Sequence, residues 1–143
     1  MPAAAPARRH ASLPITVFAL LIALVVIAGL AAIWAGLSLV VGNNAGWMAL
    51  VAAIDAVLLL RLAGYPRGTD RALFALLVTL ATCAAAGFLI ATARIGLAMG
   101  LRPVEAIGRM SLELGWLYVE SNAGWVELGW LAAACVLAWR FGR

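Results

Sequence analysis

The chain has 143 residues, of which 66% are hydrophobic and 11% are charged, and its mean hydropathy is +1.08. A water-soluble domain carries about 25% charged residues, and a chain this short cannot bury so much apolar surface inside itself. The formal net charge of +4 comes from arginines placed singly or in pairs at the ends of apolar runs, which excludes the basic face of a nucleic-acid binder and predicts an integral membrane protein.

Four apolar runs follow one another along the chain, and a transmembrane helix needs about 20 such residues. The runs cover residues 15–41, 45–60, 72–93 and 123–139. Residues 1–12, rich in Ala and Pro, are expected to form a disordered cytoplasmic tail. The first run follows Arg8 and Arg9, as a signal peptide would. Signal peptides have an apolar core of only about 7–15 residues, so we expect an uncleaved helix.

The arginines predict how these spans are oriented. With both termini in the cytoplasm, seven arginines lie inside, at positions 8, 9, 61, 67, 71, 140 and 143, and three lie outside, at positions 94, 102 and 109. Basic residues concentrate on the cytoplasmic side of membrane proteins. We therefore expect both termini in the cytoplasm and a location in a bacterial inner membrane.

Two short motifs occur twice. Asn-Ala-Gly-Trp is found at residues 44–47 and 122–125, and Phe-Ala-Leu-Leu at residues 18–21 and 74–77. We interpret them as an internal duplication of a two-helix unit, with chance similarity as the alternative. We expect the Asn of each Asn-Ala-Gly-Trp patch to be a helix N-cap. Trp47 and Trp125 would anchor the outer membrane interface, and Trp139 the inner one.

The expected fold class is an all-α integral membrane protein with four transmembrane helices, a 2+2 parallel duplication, and an outer-face amphipathic helix. The first repeat covers residues 13–62, a cytoplasmic loop 63–71, the second repeat 72–140 and a C-terminal tail 141–143. The offset between the two Asn-Ala-Gly-Trp patches is 78 residues, and that between the two Phe-Ala-Leu-Leu segments is 56. The second repeat therefore carries 22 extra residues, which fall within about 94–121.

The extra segment predicts one amphipathic helix that begins near Pro103, a residue suited to a first helical turn. Side chains of alternating charge recur at helical spacing: Arg102, Glu105, Arg109, Glu113 and Glu120. We expect this helix to lie at the outer membrane face. Two interpretations remain open, a helix folded over the bundle with a solvated charged edge and a docking surface for a partner or lipid headgroup.

Two acidic residues fall inside the predicted spans. Asp55 lies roughly 16 Å from Asn44 along a helix axis, near mid-bilayer, where an ionised carboxylate costs about 2.5–3.5 kcal/mol. It could form a hydrogen bond between helices or subunits, contact a partner subunit, or serve as a coupling-ion or proton site. Glu127 lies nearer the outer interface, where Arg94 ends the third span. We expect these two to form an ion pair, or Glu127 to contact a lipid headgroup or substrate.

Small residues at a spacing of four predict where the first and third spans meet. The stripes are Ala28, Ala32 and Gly36 in the first span, and Thr79, Cys83, Gly87 and Ala91 in the third. No catalytic or metal-binding constellation accompanies them. Cys83 and Cys135 lie in separate apolar runs and the single histidine is His10, so we expect no enzymatic activity, no metal and no cofactor.

Two function classes fit this sequence. We expect an accessory or scaffold subunit of a larger or self-associating membrane complex, whose partners are the lipid bilayer and either another membrane protein or a second copy of the chain, with no nucleic acid. The alternative is a small transporter or lipid-handling protein that uses Asp55 as a buried ionisable group. The first class is favoured because a single acid without further polar lining makes a poor aqueous path.

Overall fold

The computed structural model describes residues 13–143, of which 82% are helical and none are in strands. The helices are α1 (Leu13–Val41), α2 (Met48–Leu62), α3 (Thr69–Ala98), α4 (Pro103–Ile107), α5 (Leu112–Asn122) and α6 (Trp125–Gly142). The predicted disordered tail at residues 1–12 lies outside the described residues. The four long helices coincide with the four apolar runs to within a few residues, although α2, α3 and α6 continue through Arg61, Arg94 and Arg140 at the ends of those runs.

Two helices in the described part of the chain, α1 and α3, are long and apolar enough to cross a membrane. They have 29 and 30 residues, or roughly 45 Å each at 1.5 Å per residue, whereas the hydrocarbon core is about 30 Å thick. Large apolar side chains on α1, such as Leu21, Val25 and Ile33, are more than half exposed. At 15 and 18 residues, α2 and α6 are shorter.

The helix α3 lies at the centre of the bundle and packs against all five of the others. It runs parallel to α1, because Ser38 of α1 contacts Arg94 of α3 and Ala23 packs near Val78. The helix α2 packs against α1, α3 and α6, whereas the Cα atoms of α1 and α6 stay more than 8 Å apart. The contact between α2 and α3 thus has no counterpart between α1 and α6, and the bundle departs from two-fold symmetry.

The first and third helices meet as expected, but the predicted stripe on α1 is wrong. Ala28, Ala32 and Gly36 are exposed. The buried small residues of α1 lie on another face: Ala19, Ala23, Ala31, Ala35 and Ser38. Alanine is so frequent in this helix that its spacing alone does not identify the contact face. Side-chain hydrogen bonds from Trp34 and Ser38 to the following loop fix the rotation of α1 instead.

Buried hydroxyl groups on α3 are satisfied within their own helix. The Oγ1 atoms of three threonines donate to backbone carbonyls four residues earlier at 2.8 Å: Thr79, Thr82 and Thr92. Such bonds satisfy the hydroxyl groups within α3, so these groups need no partner on a neighbouring helix. Among the described residues, no buried side-chain nitrogen or oxygen atom lacks a partner.

Two arginines hold the C-terminal end of α6. The Nε atom of Arg71, whose side chain is 3% exposed, donates to the Gly142 carbonyl at 2.7 Å, and Arg61 Nη2 donates to the Phe141 carbonyl at 3.3 Å. The last carbonyls of a helix have no partner in the helix itself, and a cation complements the negative end of its dipole. The sequence alone predicts for these arginines only a role in orienting the chain.

The prediction of one amphipathic helix in the extra segment is wrong. The segment forms two helices, α4 and α5, separated by residues 108–111. Ser111 begins the second one, because its Oγ accepts from the Leu114 amide at 3.2 Å. Pro103 does stand in the first turn of α4. Because the chain turns between them, Glu105 and Glu113 do not belong to one helical stripe.

The two Asn-Ala-Gly-Trp patches adopt different conformations, and neither Asn caps the helix that follows. In the first patch Trp47 is the N-cap of α2, and Ala45 has a left-handed φ of +46°. In the second patch Gly124 is the N-cap of α6, and Ala123 has a φ of −74°. The surroundings decide this difference, since the residues are identical.

Hydrogen bonds from α1 shape the first patch. Trp34 Nε1 donates to the Asn44 carbonyl at 2.9 Å, and Ser38 Oγ donates to the Asn43 carbonyl at 2.6 Å. The Ala45 amide donates to Asn43 Oδ1 at 2.8 Å, which closes an Asx turn. The second patch has no equivalent of these bonds, because it continues directly from the end of α5.

A candidate binding cleft between α3, α5 and α6

An open cleft of about 710 Å³ lies between α3, α5 and α6, with α1 and α2 at its base. Its inner wall is largely apolar and includes Leu80 and Ala84 of α3 and Leu128 and Leu131 of α6. Small-molecule sites are mostly apolar clefts of about 300–1,000 Å³ with a few placed polar groups. The size and lining of this cleft therefore suit a small ligand.

The outer wall of the cleft is α5, which is seated on α3 by two glycines. A Cβ atom on Gly115 would lie 2.6 Å from Cδ2 of the Phe88 ring, and one on Gly87 would lie 3.3 Å from Cγ2 of Val119. Gly115 and Val119 are one turn apart on α5, yet they meet adjacent residues of α3. The helix α5 therefore crosses α3 instead of running alongside it, and this crossing leaves the cleft open beneath α5.

Both Asn-Ala-Gly-Trp patches line the cleft. The first contributes Asn44 and Gly46, and the second contributes Asn122 and Ala123. Gly46 also allows α2 to approach α6, because a Cβ atom there would lie 3.0 Å from Trp130 Cδ1. The sequence assigned the patches only to helix anchoring. Each patch lies at the start of a predicted helix, at an equivalent position in the two halves of the chain. That position was the one sequence feature that could have predicted that the patches are neighbours.

The charges that line the cleft are all negative. Glu120 and Glu127 contribute to its surface, and no basic residue does so within the described chain. The half-buried Glu127 folds over the start of α6, where its Oε2 lies 2.8 Å from the place a Cβ atom on Gly124 would take. The helix dipole favours an anion at that end. Glu120 lies in the last turn of α5, where the helix dipole disfavours an anion.

The predicted ion pair between Arg94 and Glu127 does not form. Arg94 Nη2 instead donates to Ser38 Oγ at 3.4 Å, on the α1 side of α3, and no ion pair joins Glu127 to any residue that the structure describes. The physical reason is the rotation of α3, which turns residue 94 toward α1. Glu127 is left facing the cleft.

Asp55 lies outside the cleft, on the edge of α2. Its neighbours one turn away on the same helix are the buried Ala52 and Leu59 on one side and the exposed Val51 and Leu58 on the other. Within the described residues, its carboxyl group has no hydrogen bond or ion pair. The structure does not bring Asp55 together with Glu127 or Arg94.

The predicted docking residues of the extra segment are all exposed, and only Glu120 of them lines the cleft. The remaining four point elsewhere on the surface: Arg102, Glu105, Arg109 and Glu113. Of the predicted anchors, Trp47 is half exposed and Trp125 is 90% exposed. Trp139 is partly buried, with the Arg143 guanidinium 4.7 Å from its ring centroid.

Three aromatic residues of the cleft were not recognised from the sequence as functional candidates: Trp34, Trp116 and Tyr118. They come from α1 and α5, which are far apart in the chain, so no local motif marks them. Among the described residues there is no group of three or more His, Cys, Asp or Glu side chains that could hold a metal ion. Comparison with protein-family models, curated proteins and solved structures gives no match.

Proposed function

We propose that this protein is a small membrane protein that binds an amphiphilic molecule in the cleft between α3, α5 and α6, and so belongs to the lipid-handling or transport class. The observation that carries this proposal is the cleft itself, about 710 Å³ in volume, with an apolar inner wall and polar groups along its rim. Such a lining matches a ligand with an apolar body and one polar end.

We propose further that α2 and α6 cross the membrane together with α1 and α3. Because α1 and α3 are parallel, the chain must return across the same thickness between them, and α2 makes that return. The helix α6 lies beside α2 along its length, with Phe141 next to Arg61 at one end and Trp130 next to Gly46 at the other. Helices shorter than the bilayer are accommodated by local thinning and by flanking polar side chains.

If all four helices cross with both termini in the cytoplasm, as we propose, the cleft lies in the outer half of the bilayer. Arg94 lies 23 residues beyond Arg71 on α3, or about 35 Å along the axis, so the two arginines bracket the hydrocarbon core. The helix α5 then lies across the bundle about two turns below Arg94. An apolar ligand could enter the cleft from the lipid, while its polar end remains near the headgroups.

The proposal is tested by asking whether the cleft retains lipid. The full chain, purified in a mild detergent, is analysed by native mass spectrometry for bound lipid. Ala84→Trp fills the cleft with a large ring, and Ala81→Trp places the same ring on an exposed position of α3 that does not line the cleft. We expect retained lipid in the wild type and in Ala81→Trp, and its loss in Ala84→Trp. Equal retention in the two variants would contradict the proposal.

A second role, as a subunit of a self-associating or larger complex, is favoured by Asp55. Its carboxyl group lies on a half-exposed edge of α2 without a partner in the described chain, and such a group in hydrocarbon is costly unless another polar group satisfies it. A second subunit could supply that group. Val51, on the lipid-facing side of the same helix, provides a matched control position.

Asp55→Leu tests this second role. If Asp55 holds two subunits together, the variant dissociates and its mass by light scattering in detergent decreases, whereas Val51→Leu behaves as the wild type. If the wild type is already monomeric and no other protein co-purifies with it, the complex-forming role is excluded. Lipid retention in the cleft is unaffected in either case, so the two roles are separable.

A further inference from the structure

The polar groups of the cleft distinguish among amphiphilic ligands by charge. Glu120 and Glu127 line it, and the cations nearest in the chain turn away from it, since Arg94 donates to Ser38 on α1 and Arg102 and Arg109 are exposed outside it. Two carboxylates near hydrocarbon without a cation from the chain create a negative potential. An anionic headgroup would be repelled.

The aromatic lining of the cleft also favours a positively charged ligand. The rings of Trp34, Trp116 and Tyr118 contribute to the cleft surface, and Trp34 is fixed by its hydrogen bond to the Asn44 carbonyl. The faces of aromatic rings attract cations, most strongly where water is excluded, and aromatic cages recognise quaternary ammonium groups. Aromatic rings and carboxylates together favour a bulky, weakly hydrated cation over a small hydrated metal ion.

We infer that the ligand of the cleft is a lipophilic monovalent cation, an organic ammonium or phosphonium group carried on an apolar body, and that Glu127 and Glu120 supply its counter-charge. This inference rests on the proposed function, because it names the ligand class of the same cleft. Glu127 is the principal partner, since it is half-buried and Gly124 leaves its carboxylate room at the start of α6.

The experiment compares tetraphenylphosphonium with tetraphenylborate, two probes of nearly the same shape and opposite charge. Binding to the purified chain in an uncharged mild detergent is measured by equilibrium dialysis. We expect tetraphenylphosphonium to bind and tetraphenylborate not to bind. Glu127→Gln should weaken binding of the cation about tenfold or more, with a smaller loss for Glu120→Gln. Glu113→Gln, an exposed position on α5 outside the cleft, should bind as the wild type does.

The failure of this inference differs from the failure of the proposed function. Binding of tetraphenylborate as tightly as tetraphenylphosphonium, or unchanged binding in Glu127→Gln, would overturn the assignment of a cation. The cleft would still be a binding site if Ala84→Trp lost both the probes and the retained lipid. If neither probe binds, the cation assignment is wrong, and lipid retention alone decides the proposed function.

Discussion

Arg94 Nη2 lies 3.4 Å from Ser38 Oγ, and these residues are 56 positions apart, the same offset that relates the two Phe-Ala-Leu-Leu segments. Residues at that offset therefore stand at the same height in α1 and α3. Ala23 and Val78, which pack in one cluster, differ by nearly the same amount. The two helices therefore pack parallel and in register at this offset, and the duplication itself stays a prediction.

The two alanines of the Asn-Ala-Gly-Trp patches should respond differently to the same substitution. Ala45 is buried with a φ of +46°, whereas Ala123 is exposed with a φ of −74°. A β-branched side chain is strained at positive φ, so Ala45→Val should lower the free energy of unfolding by about 1–3 kcal/mol. Ala123→Val should change it by less than about 0.5 kcal/mol. Thermal unfolding in one detergent, followed by circular dichroism, measures both. Equal losses of stability in Ala45→Val and Ala123→Val would contradict the different backbone conformations of the two patches.

The packing of α4 on α3 depends on a glycine. A Cβ atom on Gly96 would lie 2.5 Å from the Ala106 Cβ, which has no flexible atoms that could move away. Gly96→Ala should therefore displace α4 and destabilise the protein by about 1–3 kcal/mol. The control is Gly36→Ala, which meets nothing within 4 Å and should stabilise α1 by about 0.5–1 kcal/mol. We expect the unfolding midpoint to decrease in Gly96→Ala and to increase in Gly36→Ala, relative to the wild type. An unchanged midpoint in Gly96→Ala would show that α4 is not closely packed against α3.

Arg71 should contribute more to stability than its neighbour Arg67. Its side chain is buried and its Nε donates to the Gly142 carbonyl at 2.7 Å, whereas Arg67 is exposed. Loss of a hydrogen bond from a charged donor costs about 1.5–3 kcal/mol, so Arg71→Gln should lower the unfolding midpoint clearly. Arg67→Gln removes the same charge from the same end of the bundle and serves as the control. Equal unfolding midpoints in Arg71→Gln and Arg67→Gln would mean that the hydrogen bond of Arg71 adds nothing to stability beyond its charge.

The proposed four-span arrangement predicts which residues are accessible from each side of the membrane. In a background without Cys83 and Cys135, single cysteines are placed at Val41, Arg67 and Arg102 and treated with a membrane-impermeant thiol reagent in intact cells and in inverted vesicles. We expect positions 41 and 102 to react from the outside and position 67 from the inside. Reaction of positions 41 and 67 from the same side would show that α2 does not cross.

The positions of the long helices follow from local sequence. Long apolar runs bounded by arginines or by Gly and Pro predict helices, because a helix satisfies its backbone groups within its own segment. The bounds of α1, α2, α3 and α6 therefore agree with the sequence to within a few residues. The break between α4 and α5 does not follow from the sequence pattern, because the charge spacing of Glu105, Arg109 and Glu113 fits a helix whether or not the chain turns at residue 108.

The face that each helix presents is not determined by local sequence in a chain so rich in alanine. Ala28 and Ala32 predict a contact stripe as well as Ala31 and Ala35 do, and only the bonds of Trp34 and Ser38 to the next loop choose between them. The same limitation explains the missing ion pair between Arg94 and Glu127. Both residues lie at the expected end of the bundle, but helix rotation turns one toward α1 and the other toward the cleft.

By itself the sequence determined the helical class, the approximate ends of the long helices and the existence of two repeated patches, since these depend on apolar run length and residue identity. The tertiary structure decided that identical patches take different backbones and line one cleft. It also grouped Glu120 and Glu127 with the rings of Trp34, Trp116 and Tyr118. Residues from α1, α5 and α6 are adjacent only once the helices have packed, because helix rotation and crossing depend on contacts between distant segments.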